Sequence, residues 1–404
     1  MLGETAMKKL LFVYDSMMTG GTTTALLSLL HELNDSEYAV DLLLFEHSGD
    51  YLDQIPQQVR LVPEVKRPSK LHLSVSKRKI LGTFLNGGFF KAAWAWCKYR
   101  NTPKGNLRNI LMHYAVPAQV KICAAAEGKY DAAIGFMEGW SAHYVLSKKV
   151  CADKKIVWIH PDYQDSYLIP EVDRKALRKA TAIVTVAEKC RKNMQSIFPE
   201  FRDKIVTIEN IVSPELMQLR AKETDPQING AQVDLCTVCR CDMSVKGLDR
   251  MLQAIAQLRD EQLFEDAKWH LIGDGKDMPK VRQLIDMYKL DRYVEVYGAK
   301  KNPLPFIKKM DLFVLPSRYE GKPVSVTEAL CLGVPCLVTN YASAHEQIAS
   351  GVNGLVVDND DQALYEGLKK LLQDREYLKQ LQTGVLTISY GNTEQIQKFY
   401  EIVR

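Results

Sequence analysis

The stretch that decides the fold reads Asp311-Leu-Phe-Val-Leu-Pro-Ser-Arg-Tyr-Glu320-Gly-Lys-Pro-Val-Ser-Val-Thr-Glu328-Ala-Leu-Cys-Leu-Gly-Val-Pro-Cys336. Its short apolar run, Leu312 to Leu315, predicts a buried strand of a parallel sheet. Apolar residues then recur at helical spacing from Val324 to Leu332. The loop between them follows a strand and precedes a helix, which is where ligands bind in open α/β sheets. Helix-start N–H groups favour an anion such as a diphosphate, so the stretch predicts an α/β fold with an anion site.

Two carboxylates occupy this predicted site at two depths. Glu320 lies on the loop, and Glu328 lies about one turn inside the helix. The spacing suits one acid that binds ribose hydroxyls and another that faces a reacting sugar. On geometry alone, a strand, a loop and a helix with two solvated glutamates explain the pattern equally well.

The segment resembles the glutamate–seven–glutamate signature of retaining glycosyltransferases, specifically family 4, which is also called group 1. Gly333-Val-Pro335, Glu346-Gln-Ile and Gly351-Val-Asn-Gly354 continue that family's pattern in order and spacing. The resemblance implies the GT-B fold, with two Rossmann-like doubly wound parallel-sheet domains that face a cleft. It also implies transfer of a sugar from a nucleotide-diphosphate sugar to an acceptor hydroxyl, with retention of configuration.

Length and composition are those of an ordinary globular protein with room for two domains, at 404 residues. The net charge of +4 is modest and does not argue for nucleic acid. Nine cysteines at scattered positions favour free thiols in a reducing compartment. No apolar run reaches the ~20 residues that span a bilayer, and the start carries no signal-like run. We therefore expect a cytoplasmic protein.

The domain boundary is expected near residue 213. The run from Ile208 to Pro214 resembles the family's interdomain linker, and the polar segment Ala221 to Gln232 follows it. The predicted domains are an acceptor-side domain over 1–212 and a nucleotide-sugar-binding domain over 213–384. Residues 385–404 would hold a helix that, in GT-B folds, crosses back onto the first domain.

Two features of the first half resemble parts of the family's site. Gly20 and Gly21 lie between the first strand and a helix, where backbone can approach a ligand closely, although a lone glycine pair is more often a tight turn. The resemblance makes this pair the family's glycine loop facing the donor. His160 ends a strand, and isolated histidines are usually structural. The resemblance places it beside the donor sugar.

The second half supplies the other candidate residues. Arg240 and Lys246 lie six apart after a strand, so both cations could reach one diphosphate. They match the family's Gly-Arg and Lys-Gly pair, except that Cys239 replaces the usual glycine. The resemblance further implies that Glu320 orients the sugar and that Glu328 binds the ribose. It implies two more sets of donor contacts: the N–H groups of Val324 and Ser325 on the phosphates, and the glycine turn of Gly273 and Gly275 beside the nucleotide.

No metal or other cofactor is expected, because Arg240 and Lys246 supply positive charge. Cys236, Cys239 and Cys241 lack a fourth zinc ligand, and alternation along a strand separates the first two. Asp358-Asn-Asp360 matches the metal-binding D-x-D of other glycosyltransferases only superficially. We interpret it as the loop that starts a helix.

The segment 65–126 contains twelve lysines and arginines, aromatic residues and no acidic residue. Such a composition suits an anionic membrane surface, and it would equally suit an RNA backbone or a set of solvated cations around core aromatics. We expect no nucleic acid and keep the membrane and solvated-cation interpretations open. Because many relatives act on lipid-linked acceptors, the protein could bind the inner face of the membrane peripherally.

The favoured function is that of a retaining hexosyltransferase that uses a UDP-sugar in cell-surface polysaccharide or glycolipid synthesis. Its acceptor would be a saccharide or a lipid-linked molecule. Two alternatives stay open: a nucleotide-sugar epimerase or hydrolase, and a non-catalytic paralogue that binds a partner glycosyltransferase. The presence of Arg240, Lys246, Glu320 and Glu328 argues against the second.

Overall fold

The computed structural model describes residues 7–18, 20–67, 89–99 and 107–404, and the chain divides into two compact units. The first unit holds the described residues of Met1–Met18, Leu26–Glu209 and Glu394–Arg404. The second holds those of Thr19–Ala25 and Asn210–Thr393. The main segment of the second unit therefore runs from 210 to 393, compared with 213 to 384 in the prediction.

A seven-stranded parallel sheet forms the centre of the first unit, in the order β3-β2-β1-β4-β5-β6-β7. The carboxyl-terminal halves of its longer strands are buried apolar runs, as expected where helices cover both faces of a sheet. Their bounds are β1 Lys8–Tyr14, β2 Tyr38–Leu44, β3 Val59–Val62, β4 Lys129–Gly135, β5 Cys151–Ile159, β6 Ala182–Thr185 and β7 Ile205–Thr207. The α-helices described in this unit span Gly21–Glu32 (which starts in the second unit), Phe89–Tyr99, Leu107–Ile122, Trp140–Val145, Pro170–Leu177, Glu188–Ile197 and Gln395–Val403.

A six-stranded parallel sheet forms the centre of the second unit, in the order β10-β9-β8-β11-β12-β13. Its strands are β8 Val233–Val238, β9 Ala267–Ile272, β10 Val294–Gly298, β11 Leu312–Leu315, β12 Cys336–Thr339 and β13 Gly354–Val357. The helices span Pro214–Arg220, Met243–Lys246, Leu248–Asp260, Met278–Met287, Leu304–Ile307, Val324–Cys331, Ala344–Gln347, Asp361–Gln373 and Arg375–Val385. The strand, loop and helix predicted for the opening stretch are confirmed.

Strand order reverses at one place in each sheet, and these places position the candidate site. In the second unit β8 and β11 are neighbours, with Leu235 paired to Leu312 and Cys236 to Phe313. The chain leaves β8 toward one edge of the sheet and β11 toward the other. Side chains that follow the carboxyl ends of these two strands therefore meet in a crevice, the usual ligand site of doubly wound sheets.

The last helix, Gln395–Val403, belongs to the first unit. Phe399 is fully buried, with its ring 5.9 Å from that of Phe12 and 6.1 Å from that of Trp158. Tyr400 stacks on Tyr38 at 5.2 Å. The core of the first unit thus includes side chains from both ends of its sequence.

The basic, aromatic segment 65–126 is described in part. Residues 68–88 and 100–106 lie outside the described residues. These ranges include some of the cations and aromatic residues counted above, namely Lys70, Lys77, Arg78, Lys79, Phe84, Arg100 and Lys104. Two helices, Phe89–Tyr99 and Leu107–Ile122, account for most of the rest. None of the described helices combines the length and hydrophobicity that crossing a bilayer requires.

Candidate functional site

The loops after β8 and β11 are packed together by a glycine. Gly247 has φ +62°, and a Cβ at this position would lie 2.1 Å from the carbonyl oxygen of Pro316. Only a residue without a side chain allows this approach in the left-handed conformation. Arg318 adds a second link, because its N–H donates to the carbonyl of Val245 at 2.7 Å. The end of helix Met243–Lys246 is thereby held against the loop that carries Glu320.

Lys246 and Glu320 form an ion pair within this crevice. The Nζ of Lys246 lies 2.5 Å from Oε1 of Glu320, and the two side chains are 18% and 11% exposed. The hydroxyl of Ser317 donates to the same carboxylate oxygen at 2.7 Å. The sequence predicted both residues as donor contacts but not that they contact each other. Glu320 therefore fixes the position of the ammonium group of Lys246.

Arg240 precedes Lys246 in the segment after β8. It is exposed, and the described residues give it no hydrogen bond or ion pair. Its guanidinium is therefore available for a planar, two-pronged contact with an anion, which Lys246 as a point charge cannot make. The two predicted cations therefore follow β8 in one short segment: Lys246, at the end of helix Met243–Lys246, is paired with Glu320, and Arg240 is exposed.

The helix Val324–Cys331 starts beside this loop without a side-chain cap. The N–H groups of its first turn, including Val324 and Ser325, are the kind that bind phosphate oxygens. Two side chains that sequence reasoning missed hold the preceding loop: Gln347 donates to the carbonyl of Pro323 at 3.1 Å, and the hydroxyl of Ser343 donates to that of Gly321. The spacing of Gln347 after the signature glutamates is the signal that could have found it.

Glu328 is buried in the same helix, with 8% of its surface exposed. No described hydrogen-bond donor reaches its carboxylate. Burial raises the pKa of Glu328 to about 7, although the charge of Arg220 opposes the shift. A buried carboxyl without a donor is costly, and hydroxyl groups of a ligand would satisfy it.

The turn after β9 packs on the loop after β8. Gly273 has φ +152°, and a Cβ there would lie 1.9 Å from the carbonyl oxygen of Cys239. A Cβ built on Gly275 would lie 2.6 Å from the carbonyl oxygen of Cys241, and the N–H of Cys241 donates to the carbonyl of Asp274 at 2.9 Å. This contact places the predicted glycine turn beside the loop of Arg240.

The glycine pair near the start of the chain belongs to the second unit by its contacts. Gly21 begins the helix Gly21–Glu32, and a Cβ built on it would lie 3.5 Å from Cβ of Val324, which is ordinary contact. Gly20 has open space around its Cα. The pair therefore lies near the start of the helix that carries Glu328.

His160 follows β5 in the first unit and is buried. Its Nε2 lies 3.1 Å from the carbonyl oxygen of Phe136, and its backbone N–H donates to Glu138 at 3.3 Å. Burial lowers the pKa of His160 to about 4, so the ring is neutral at pH 7. The carbonyl contact puts the proton on Nε2 and leaves Nδ1 as an acceptor. Glu138, which the sequence analysis missed, also follows a strand end, and that position was its available signal.

Asp358-Asn-Asp360 starts a helix, as predicted. The carboxylate of Asp360 accepts a hydrogen bond from the N–H of Ala363 at 2.8 Å and caps the helix Asp361–Gln373. The side-chain oxygen of Asn359 accepts from Arg250 at 2.6 Å, and its amide donates to the carbonyl of Arg318 at 2.7 Å. These contacts make the segment part of the local framework.

Residues 223–384 match the model of a protein family described as Glycosyl transferases group 1. The match covers the strands β8 to β13 and both signature glutamates. It includes Arg240 and Lys246 as well.

Curated relatives match parts of the chain. A glycosyltransferase of Methanocaldococcus jannaschii is 24% identical over 203 residues, which cover 48% of this chain and 50% of that protein. An Escherichia coli UDP-Gal:alpha-D-GlcNAc-diphosphoundecaprenol alpha-1,3-galactosyltransferase is 27% identical over 126 residues, which cover 30% and 32%. The matches thus span half or less of these relatives' own lengths.

A solved structure matches almost the whole chain. HepE of Anabaena, in complex with UDP and glucose, superposes with a TM-score of 0.67 over 98% of each chain, at 15% identity. This similarity shows the fold, which is GT-B.

Proposed function

We propose that the protein is a glycosyltransferase, because residues 223–384 match the model of the family described as Glycosyl transferases group 1 and the chain has the GT-B fold. Its donor is a nucleotide-diphosphate sugar, and a UDP-sugar is favoured. The observation that carries the proposal is the ion pair of Lys246 with Glu320, which joins the segment after β8 to the loop after the neighbouring strand β11. The first segment also contains Arg240 and the second leads into the uncapped helix start at Val324, and cations and helix-start N–H groups are what a diphosphate binds. The proposed reaction is the transfer of a hexosyl group to an acceptor hydroxyl with retention of the anomeric configuration.

Different residues of the chain bind different parts of the donor. Arg240 and Lys246 neutralise the charge that grows on the leaving diphosphate, which is stabilisation of charge where it develops. The N–H groups of Val324 and Ser325 bind phosphate oxygens. Glu328 accepts hydrogen bonds from ribose hydroxyls, and Glu320 orients the sugar while it holds Lys246. No metal is needed at this diphosphate, because the two cations and the helix start supply the positive charge.

The proposal is tested first by thermal denaturation of the full chain with UDP, GDP or ADP. We expect one nucleotide, UDP, to stabilise the protein by about 2.7 kcal/mol at a hundred times its dissociation constant. Uridine, which lacks phosphates, should stabilise it far less. If no nucleotide shifts the thermal unfolding transition of the folded protein, the proposed donor site is wrong. A non-catalytic role in binding a partner then becomes the favoured function.

Thermal denaturation with UDP at several pH values tests the role of Glu328. Because the pKa of Glu328 is about 7, the carboxyl is mostly protonated at pH 6 and mostly ionised at pH 8, and only the ionised form accepts from both ribose hydroxyls. We expect UDP affinity to rise up to about tenfold over this interval, since the competent fraction rises by that factor. Glu328→Gln is the control, because the phosphates titrate identically in both proteins. Equal pH profiles would remove Glu328 from the ribose site.

We also propose that the acceptor is a saccharide or a lipid-linked molecule of cell-surface polysaccharide or glycolipid synthesis. The protein would work at the cytoplasmic face of an anionic membrane. Two described helices of the first unit support membrane contact: Trp94 and Trp96 are 55% and 39% exposed, and Leu107 and Met112 are exposed on the second helix. Exposed cations accompany them, namely Lys91, Arg108 and Lys121. Aromatic and cationic side chains together are what an anionic interface attracts.

Membrane contact predicts co-sedimentation with vesicles that contain anionic lipid and much less with neutral vesicles. The double variant Trp94→Ala and Trp96→Ala should lose most of this binding. Met287→Ala, which removes an equally exposed apolar side chain from the second unit, should retain it. If the tryptophan variant binds as the parent does, these exposed aromatics are not a membrane surface.

A further inference from the structure

A buried cluster in the first unit joins side chains that no step above uses. His113 lies on helix Leu107–Ile122, His143 on helix Trp140–Val145 and Asp173 on helix Pro170–Leu177. The Nε2 atoms of the two histidines lie 2.9 and 2.8 Å from the same carboxylate oxygen, Oδ1 of Asp173. The other oxygen, Oδ2, accepts from the hydroxyl of Tyr163 at 2.6 Å. All four residues are buried.

The cluster has the composition of a divalent-metal site. Two imidazoles and one carboxylate are ligands that zinc and other first-row divalent metals accept in proteins. Their ligand atoms lie within 4.8 Å of one another, and no other group of three such residues in the described part of the chain meets this criterion. Tyr163 adds the hydrogen bond to the carboxylate that typically orients a ligand from behind.

The spacing of the ligand atoms is close to what one ion requires. Zinc bonds of 2.0–2.2 Å at tetrahedral angles separate ligand atoms by about 3.3–3.5 Å. Each observed N–O separation would lengthen by about 0.5 Å in a zinc complex. A metal ion bound at both Nε2 atoms would require the proton of each ring to lie on Nδ1.

We propose that His113, His143 and Asp173 bind one zinc-class divalent cation, with Tyr163 holding the carboxylate in place. The ion would join three helices at one point, two of which, Leu107–Ile122 and Pro170–Leu177, are 60 residues apart at their ligands. Its role is structural: it anchors helix Leu107–Ile122 of the basic segment 65–126 to the two other helices. None of these residues takes part in the proposed donor site, so the inference stands or falls separately from sugar transfer.

The test uses the full chain without a histidine tag, produced with zinc in the medium and freed of loosely bound metal. We expect about one zinc per chain by mass spectrometry of the metal. Removal of the ion with a strong chelator should lower the melting temperature. Zinc added back at a hundred times its dissociation constant should raise the folding equilibrium constant of the metal-free protein about a hundredfold. Cobalt in place of zinc should give the visible absorption of a tetrahedral site.

Variants separate this site from adventitious binding. His113→Gln and Asp173→Asn should lose the metal. His270→Gln is the matched control, because His270 is a buried histidine whose Nε2 lies 2.9 Å from Asp234 and which belongs to no three-ligand group among the residues that the structure describes. Exposed Cys97 and Cys151 could also bind zinc, in which case the metal would persist in His113→Gln. That persistence, or a chelator-insensitive parent protein without metal, would show that the cluster is only a hydrogen-bonded network.

Discussion

Replacing Lys246 by alanine should lower the turnover of sugar transfer by about 10²- to 10³-fold, which is the usual loss when one group that stabilises developing charge is removed. Two effects combine. The leaving diphosphate loses a cation, and Glu320, which is only 11% exposed, loses the ammonium group 2.5 Å from its carboxylate. An uncompensated carboxylate in this position would also repel the phosphates. The measurement is nucleotide release from the donor sugar on the nucleotide identified by the binding screen.

A matched variant separates chemistry from stability. Lys268 is a similarly buried lysine of the same unit, with its side chain 12% exposed and its Nζ 3.0 Å from Glu295. It lies near the amino end of β9, whereas Lys246 follows the carboxyl end of β8. Lys268→Ala should lose comparable stability and keep its turnover. Similar turnover in the two variants would mean that Lys246 is a structural ion-pair partner.

Replacing Gly247 by alanine should destabilise the second unit by about 2–4 kcal/mol and weaken nucleotide binding. The new Cβ would meet the carbonyl oxygen of Pro316 at 2.1 Å in a backbone conformation with φ +62°. Because the contact is with backbone, the loops after β8 and β11 must separate. Lys246 would then move away from Glu320. Calorimetry with and without UDP measures both effects.

The control for this variant is Gly351→Ala. Gly351 also has a positive φ, +88°, but a Cβ there would meet only the hydroxyl of Tyr377 at 3.8 Å. Gly351→Ala should therefore lower the free energy of unfolding by about 1 kcal/mol, which is the cost of a positive φ in a residue with a Cβ. Equal losses in the two variants would show that the close approach at Gly247 does not hold the loops together.

The elements around the site could be predicted from the sequence because their signals are local. Leu312 to Leu315 form a short apolar run, and apolar residues recur at helical spacing after Pro323. The cations after β8 could be found because they lie on one short loop.

The contacts between elements could not be predicted in the same way. The pairing of Lys246 with Glu320 joins residues 74 apart and depends on the space that Gly247 leaves beside Pro316. The burial of Glu328 depends on how its helix packs, since the residue itself is of a type that is usually exposed. The cluster of His113, His143 and Asp173 has no sequence spacing that marks it, because each residue comes from a different helix.

The placement of Phe399 beside Phe12 has a consequence for how the protein is made. Ribosomes deliver the chain from its amino end, and domains usually fold as they emerge. Here β1 and its neighbours are synthesised first, yet a helix that covers them, Gln395–Val403, follows all 184 residues of Asn210–Thr393. Until that helix arrives, the apolar faces of Phe12 and Trp158 lack one of their partners. The half of the molecule that is translated first therefore completes its core last.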